Sequence, residues 1–290
     1  MPNNINYQTL LKGIRTVIER GDYPEFLKMI NKLRNNYSFR NTLLVYVQNP
    51  RATFVKGYCD WNKLGRGVKG SPRKIYIYAK MGKSKEKDEA LIGQQDVEGN
   101  EVKEKNKSKK VEIIDGVKYK RVVVYDISDT YVLKGAKRIP ILDDKIDGDT
   151  TKDLYNRLID ISPVPVAVKE LSGSTKGYYD LKNNEICIES NLSPDERTAL
   201  LIHELCHCLY DKFDYSKERE KSEIFVESVA FLVADYFKFD TSLCSFGYIV
   251  NWARNDLKEF LKLSNKIKET ADEFIELIKV KDYEQEKISA

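Results

Sequence analysis

Histidine is almost absent from this chain, with two in 290 residues. A metal site built from three imidazoles is therefore excluded, and any third nitrogen or oxygen ligand has to come from another residue type. No apolar run approaches the length of a membrane span, so a helical membrane protein is excluded as well. Met1 to Tyr7 is polar and lacks the charged-then-apolar pattern of a signal peptide. Cysteine is sparse and odd in number: Cys59, Cys187, Cys206, Cys208 and Cys244 lack the spacing of a disulfide framework. They read as ordinary buried thiols in a reducing cytoplasm, where the protein is expected to reside. No internal repeat stands out.

What is present is concentrated in one place. Both histidines fall in His203-Glu204-Leu205-Cys206-His207, the spacing H-E-x-x-H. On a helix, residues four apart lie on one face, so His203 and His207 can point two imidazoles at one metal ion. Glu204 then sits beside the water such an ion would hold, in position to act as general base. Ser193-Pro194-Asp195-Glu196 supplies a cap, a first-turn proline and a Glu three residues after the Ser. Leu200, Leu201, Leu205 and Leu209 recur at helical spacing, which puts the motif inside a helix. The expected cofactor is Zn2+.

A catalytic zinc takes three protein ligands, and with no third histidine the last should be a carboxylate. Lys217 to Phe237 reads as one long helix whose second half, 224–234, is apolar almost all round. Glu227 is the single acid in the middle of that run. A buried unpaired carboxylate is costly, so it should bind metal or pair with a cation. Glu223, one turn earlier, is the other candidate ligand, or else a partner to one of the imidazole rings. The motif followed by Glu227 resembles the gluzincin metallopeptidases. That resemblance implies His203, His207 and Glu227 as metal ligands and Glu204 as general base.

The net charge of +4 hides an asymmetry. Residues 1–145 carry 30 Lys and Arg against 17 Asp and Glu, a net of +13; residues 146–290 carry 19 against 28, a net of −9. A basic half joined to an acidic half points to a nucleic-acid-binding module ahead of another function. Between Lys28 and Lys74 there are 11 basic residues and one acid, Asp60. Aromatics are interleaved with them, a combination that suits single strands, because basic groups neutralise phosphates and rings stack on unpaired bases. The candidate contacts are Arg34, Tyr37, Phe39, Arg40, Arg51, Lys56, Tyr58, Trp61, Lys63, Arg66, Lys69, Arg73 and Lys74. The competing reading is a solvated basic face above core aromatics.

The runs Tyr37-Ser38-Phe39-Arg40-Asn41-Thr42-Leu43-Leu44 to Pro50, Val55-Lys56-Gly57-Tyr58-Cys59-Asp60-Trp61-Asn62 to Gly70, and Val122-Val123-Val124-Tyr125-Asp126 resemble the ArdC-type antirestriction proteins. The resemblance implies an N-terminal domain that binds single-stranded DNA, followed by a zincin-like metallopeptidase domain related to the ImmA/IrrE peptidases. It also implies carriage on plasmids and conjugative transposons.

The expected fold is α+β: a mixed α+β domain over 1–145, with 83–110 as a mobile insertion, and a gluzincin-like domain over 151–290 that is mostly helical with a small sheet. Asp143 to Thr150 reads as the linker. Lys176 to Asp180 and Glu185 to Glu189 read as a hairpin just before the metal helix, and the resemblance implies that a strand there borders the cleft. Ser245 to Trp252 continues the likeness, and Tyr248 is a candidate oxyanion donor, with packing as its alternative role. The leading expectation is a mobile-element antirestriction protein that binds single-stranded DNA and hydrolyses a peptide bond. Its protein substrate would be a restriction enzyme or a repressor, and no membrane partner is expected. The rivals are a cytoplasmic protease that cleaves a repressor, and a DNA-binding protein whose metal is structural.

Overall fold

The structure is a computed structural model that describes residues 7–81, 111–114, 117–136, 150–239, 246 and 257–289. The expected insertion at 83–110, the 143–149 part of the linker and Tyr248 lie outside the described residues.

Three helices open the chain: α1 (Tyr7–Glu19), α2 (Tyr23–Leu33) and α3 (Phe39–Gln48). Gly21 takes φ +71° to turn the chain between the first two, a conformation that costs a glycine little. Pro24 lies in the first turn of α2, and the Ser38 hydroxyl caps α3 by accepting from the Asn41 amide. The next elements are β1 (Val55–Lys56), α4 (Tyr58–Lys63), β2 (Arg66–Val68), β3 (Ile75–Lys80), β4 (Val111–Ile114), β5 (Val117–Asp126) and β6 (Thr130–Val132). The long β5 is the hub, pairing antiparallel with β1, β3 and β4; β2 and β6 form a separate antiparallel ribbon.

The edge of β3 is closed by side chains of α3. Asn41 donates to the Tyr78 carbonyl at 2.8 Å and accepts from its amide at 2.9 Å, while Gln48 does the same for Tyr76 at 2.9 and 3.0 Å. Two amide side chains thus stand in for a neighbouring strand and satisfy backbone groups that would otherwise face outward.

The second half contains α5 (Thr150–Ile161), β7 (Val166–Lys169), β8 (Gly177–Asp180), β9 (Glu185–Glu189), α6 (Pro194–Tyr210), α7 (Tyr215–Tyr236) and α8 (Leu257–Ser289). The small sheet runs β7-β9-β8, parallel on one side of β9 and antiparallel on the other, so β8 is an edge strand. It lies close to α6: a Cβ on Gly177 would sit 2.6 Å from Leu200 Cδ2, so only glycine fits there. The overall class is mixed α+β, as composition and pattern predict. Among the described residues, no helix is long and apolar enough to cross a membrane.

One hydrophobic cluster runs through both halves, from Leu10, Ile14 and Phe26 to Phe225, Phe260 and Phe274. The contact is specific as well as apolar. The Tyr23 and Ser228 hydroxyls lie 3.0 Å apart, Asn31 donates to the Leu232 carbonyl at 2.9 Å, and the Arg34 guanidinium meets Asp272 at 2.7 Å. Helices of the basic half therefore pack directly on α7 and α8. Tyr23 of α2 also meets Phe260 of α8 edge-on, with centroids 5.8 Å apart, while Phe26 packs edge-on against Phe39 within the basic half at 5.0 Å.

Candidate metal centre

The site forms where α6 crosses α7. A complete capping box starts α6: the Ser193 hydroxyl accepts from the Glu196 amide, and the Glu196 carboxylate accepts from the Ser193 amide. Asp214 starts α7 by accepting from the Ser216 amide at 3.1 Å. One face of α6 then carries His203 and His207, and the facing side of α7 carries Glu223 and Glu227.

The two imidazole Nε2 atoms are 3.2 Å apart. Glu223 Oε2 lies 3.8 Å from one and 3.9 Å from the other. A point equidistant from the corners of a triangle with these sides lies about 2.1 Å from each, inside the ~2.0–2.2 Å range of zinc bonds to nitrogen and carboxylate oxygen. Bare lone pairs this close repel unless a proton or a cation lies between them. The donor set and its spacing therefore fit a divalent ion, which His203, His207 and Glu223 could hold.

This differs from the sequence expectation at one position. Glu227 does not join the triangle; its Oε1 lies 3.6 Å from His203 Nδ1, behind the ring. A ring that turns Nε2 toward His207 necessarily turns Nδ1 away, so Glu227 faces the nitrogen that points out of the site. Glu223 and Glu227 are one turn apart on the same face of α7, and the crossing with α6 decides which nitrogen each meets.

Each ligand candidate is held from behind. His207 Nδ1 is 2.9 Å from Asp211 Oδ2, and the Tyr215 hydroxyl donates to Glu223 Oε1 at 2.6 Å. Burial, with the neighbouring His207, drops the His203 imidazole to a pKa of about 3, so it is neutral at working pH. Burial also acts to lower His207, but its bond to Asp211 and the Glu204 and Glu223 carboxylates outweigh that effect and hold it above its ordinary value. Glu204 is 6 % exposed, and burial lifts its carboxyl to about 7, against the opposing pull of His207 and of the Tyr179 amide on β8. A carboxyl poised there can take or give a proton near neutrality.

The candidate DNA contacts are scattered. Trp61 and Phe39 are buried, and the Trp61 indole N–H donates to the Tyr125 carbonyl. Arg34 is 8 % exposed and serves the core through Asp272 and the Tyr236 ring. The Tyr37 hydroxyl donates to the Val55 carbonyl, and Arg66 Nε donates to Thr130 Oγ1 at 2.7 Å. Lys56 bonds Asn36 and lies over the Phe54 ring. Arg40 and Tyr58 are half-buried, while Arg51, Lys63, Lys69, Arg73 and Lys74 are exposed.

A surface missed from sequence lies on the β3–β5 sheet. The pairings Tyr76↔Val123, Tyr78↔Arg121 and Lys80↔Tyr119 put those six residues on one face. Arg121 lies 4.6 Å from the centroid of the Tyr76 ring, with Arg121 and Lys80 exposed and Tyr119 half-buried. The alternation of Tyr76 with Tyr78 and of Tyr119 with Arg121 was the available signal.

Residues 14–122 match the family model for the N-terminal domain of anti-restriction factor ArdC. The Mn(II)-bound crystal structure of the antirestriction ArdC protein from plasmid R388 aligns with TM-score 0.60 and 16% identity, covering 95% of this chain and 97% of that one. The metal-free structure of the same protein aligns with TM-score 0.49 and 13% identity over 83% of each chain. An uncharacterized protein of Bacillus anthracis is 29% identical over 129 residues, which make up 41% of this chain and 22% of that protein. This chain thus spans about a fifth of that relative's length. The likeness to the Mn(II)-bound protein shows that the chain has the ArdC fold along nearly its whole length.

Proposed function

We propose that this chain is an ArdC-type antirestriction protein that binds single-stranded DNA with its basic half and hydrolyses a peptide bond at a zinc site. The observation that carries the reading is the triangle of His203 Nε2, His207 Nε2 and Glu223 Oε2, with the buried Glu204 carboxyl on the same helix turn. In this reading Glu223 is the third ligand and Glu227 orients the His203 ring. Two imidazoles and a carboxylate suit zinc, and the manganese of the plasmid R388 protein is consistent with a divalent ion at such a centre.

A bound divalent ion supplies Lewis acidity and lowers the pKa of water at the site. The chain's own groups do the rest. Glu204 accepts a proton from the attacking water and returns it to the leaving amine, which its carboxyl can do near pH 7. The edge strand β8, whose Tyr179 amide reaches toward Glu204, offers backbone groups on which an extended peptide can lie. DNA is held by exposed Arg51, Lys63, Lys69, Arg73 and Lys74, and bases stack beside Tyr76, Tyr119 and Arg121 on the sheet face.

The test is protection of DNA from a restriction nuclease by wild type and by Glu204→Gln. Protection lost in the variant supports hydrolysis. Equal protection refutes it and leaves DNA binding as the activity.

A further inference from the structure

Asp211 is the residue after α6, where a helix ordinarily ends in solvent, yet its side chain is only 9% exposed. Its carboxylate is fully engaged by three separate pieces of chain. Oδ2 accepts from His207 Nδ1 at 2.9 Å and from the Ser222 hydroxyl at 2.5 Å, and Oδ1 accepts from the Phe213 amide at 3.0 Å. These partners lie on α6, on α7 and in the short loop between them. Ser222 is fully buried and immediately precedes Glu223. The loop is itself pinned, with Phe213 packed against Phe225 at 5.5 Å and Lys266 of α8 standing 4.2 Å over the Phe213 ring.

From this geometry we infer that Asp211 is a positioning residue for the metal centre, acting on both helices at once. Its first effect is on the ring. A carboxylate at Nδ1 requires the proton there, which leaves Nε2 with a bare lone pair directed at His203 and Glu223. Its second effect is on the spacing of the helices. Through Ser222 it fixes the turn of α7 that presents Glu223 opposite His207, and so sets two sides of the ligand triangle. Glu227, by contrast, stands on the middle of α7 and meets His203 at Nδ1, away from the loop that joins the two helices. The inference rests on the metal-site part of the reading above and is independent of hydrolysis and of DNA.

The test uses the full chain and two readouts. The first is the Zn2+ dissociation constant from competition with a chromophoric chelator. The second is the tautomer of His207 in metal-free protein, read from imidazole 15N shifts at alkaline pH, where the ring is neutral and two histidines give a simple spectrum. In wild type, His207 should carry its proton on Nδ1. In Asp211→Ala it should shift toward the Nε2–H form, with affinity weakened by about 10- to 100-fold. Ser222→Ala should keep the tautomer and weaken affinity by roughly 3- to 10-fold, the effect of one hydrogen bond. Asp211→Asn should fall between wild type and Asp211→Ala, and it carries the test with Ser222→Ala if the alanine variant does not fold. An unchanged tautomer with affinity within about twofold of wild type in the Asp211 variants would overturn the positioning role while leaving the metal centre standing. No zinc binding by wild type would overturn the metal centre and this inference with it.

Discussion

Replacing Glu223 and Glu227 separately with Gln distinguishes a ligand from a residue that only orients one. The two carboxylates are one turn apart and similarly exposed, 17% and 22%, so burial does not separate them. Position does: Glu223 Oε2 lies within 3.9 Å of both Nε2 atoms, whereas Glu227 meets His203 at Nδ1, 3.6 Å away. A four-ligand structural zinc site is worth about 10–16 kcal/mol, so one ligand accounts for roughly 2.5–4 kcal/mol, or about 10²- to 10³-fold in affinity. Loss of an orienting partner costs about 10- to 100-fold. Glu223→Gln should therefore bind zinc about tenfold more weakly than Glu227→Gln, by chelator competition at fixed pH. Thermal midpoints provide the control. Metal at a thousand times its Kd adds about 4.1 kcal/mol to wild type, which at ~2–4 °C per kcal/mol raises the midpoint by roughly 10 °C. At the same metal concentration that rise should shrink to about a third or less in Glu223→Gln, while the metal-free midpoint stays near wild type. If Glu227→Gln loses more affinity than Glu223→Gln, the ligand assignment is wrong.

Glu204 has a pH-dependent cost in the metal-free protein. Its folded pKa of about 7 lies above the unfolded value, so the unfolded chain releases the proton first and stability falls as pH rises between about 4.5 and 7. Glu204→Gln should stabilise metal-free protein at pH 8 by up to roughly 3 kcal/mol, with the gain fading by pH 5, as denaturant titrations at the two pH values would show. An equal effect at both pH values would refute the desolvation account. Phe26→Ala should cost ~3–5 kcal/mol, and the whole chain should unfold in one transition followed by calorimetry, because the core is continuous; two transitions would contradict that. Arg34→Ala should lower the thermal midpoint without changing the salt dependence of DNA binding. Arg121→Ala should leave the midpoint alone and weaken single-strand binding, with a slope against log salt smaller by about 0.7. The reverse pattern would place the DNA elsewhere.

The metal helix was legible because its signals are local: a capping box, leucines at helical spacing, and two histidines four apart. The strand pattern of β3 and β5 was legible for the same reason. Which acid stands nearer the two Nε2 atoms was not, because Glu223 and Glu227 share a face of α7 and only the packing of α6 on α7 puts one near Nε2 and the other near Nδ1. Nor could the basic-aromatic run be resolved into core and surface. Ser38 starts a helix that turns Phe39 inward onto Phe26, and Arg34 finds its counter-charge at Asp272, on a helix near the other end of the chain. Exposure does not follow from sequence distance either: Lys69 stays exposed although its ammonium donates to the Ser128 carbonyl.

The joint between the halves also bears on inheritance. Recombination that exchanged the basic half, with a break between the described elements β6 and α5, would look harmless in sequence. The incoming half would nevertheless have to bring a hydroxyl for Ser228, an amide for the Leu232 carbonyl and a guanidinium for Asp272. Without them it would lose its specific contacts with α7, which carries Glu223, and with α8. The two halves of this protein are therefore expected to travel and diverge together, as one unit of descent.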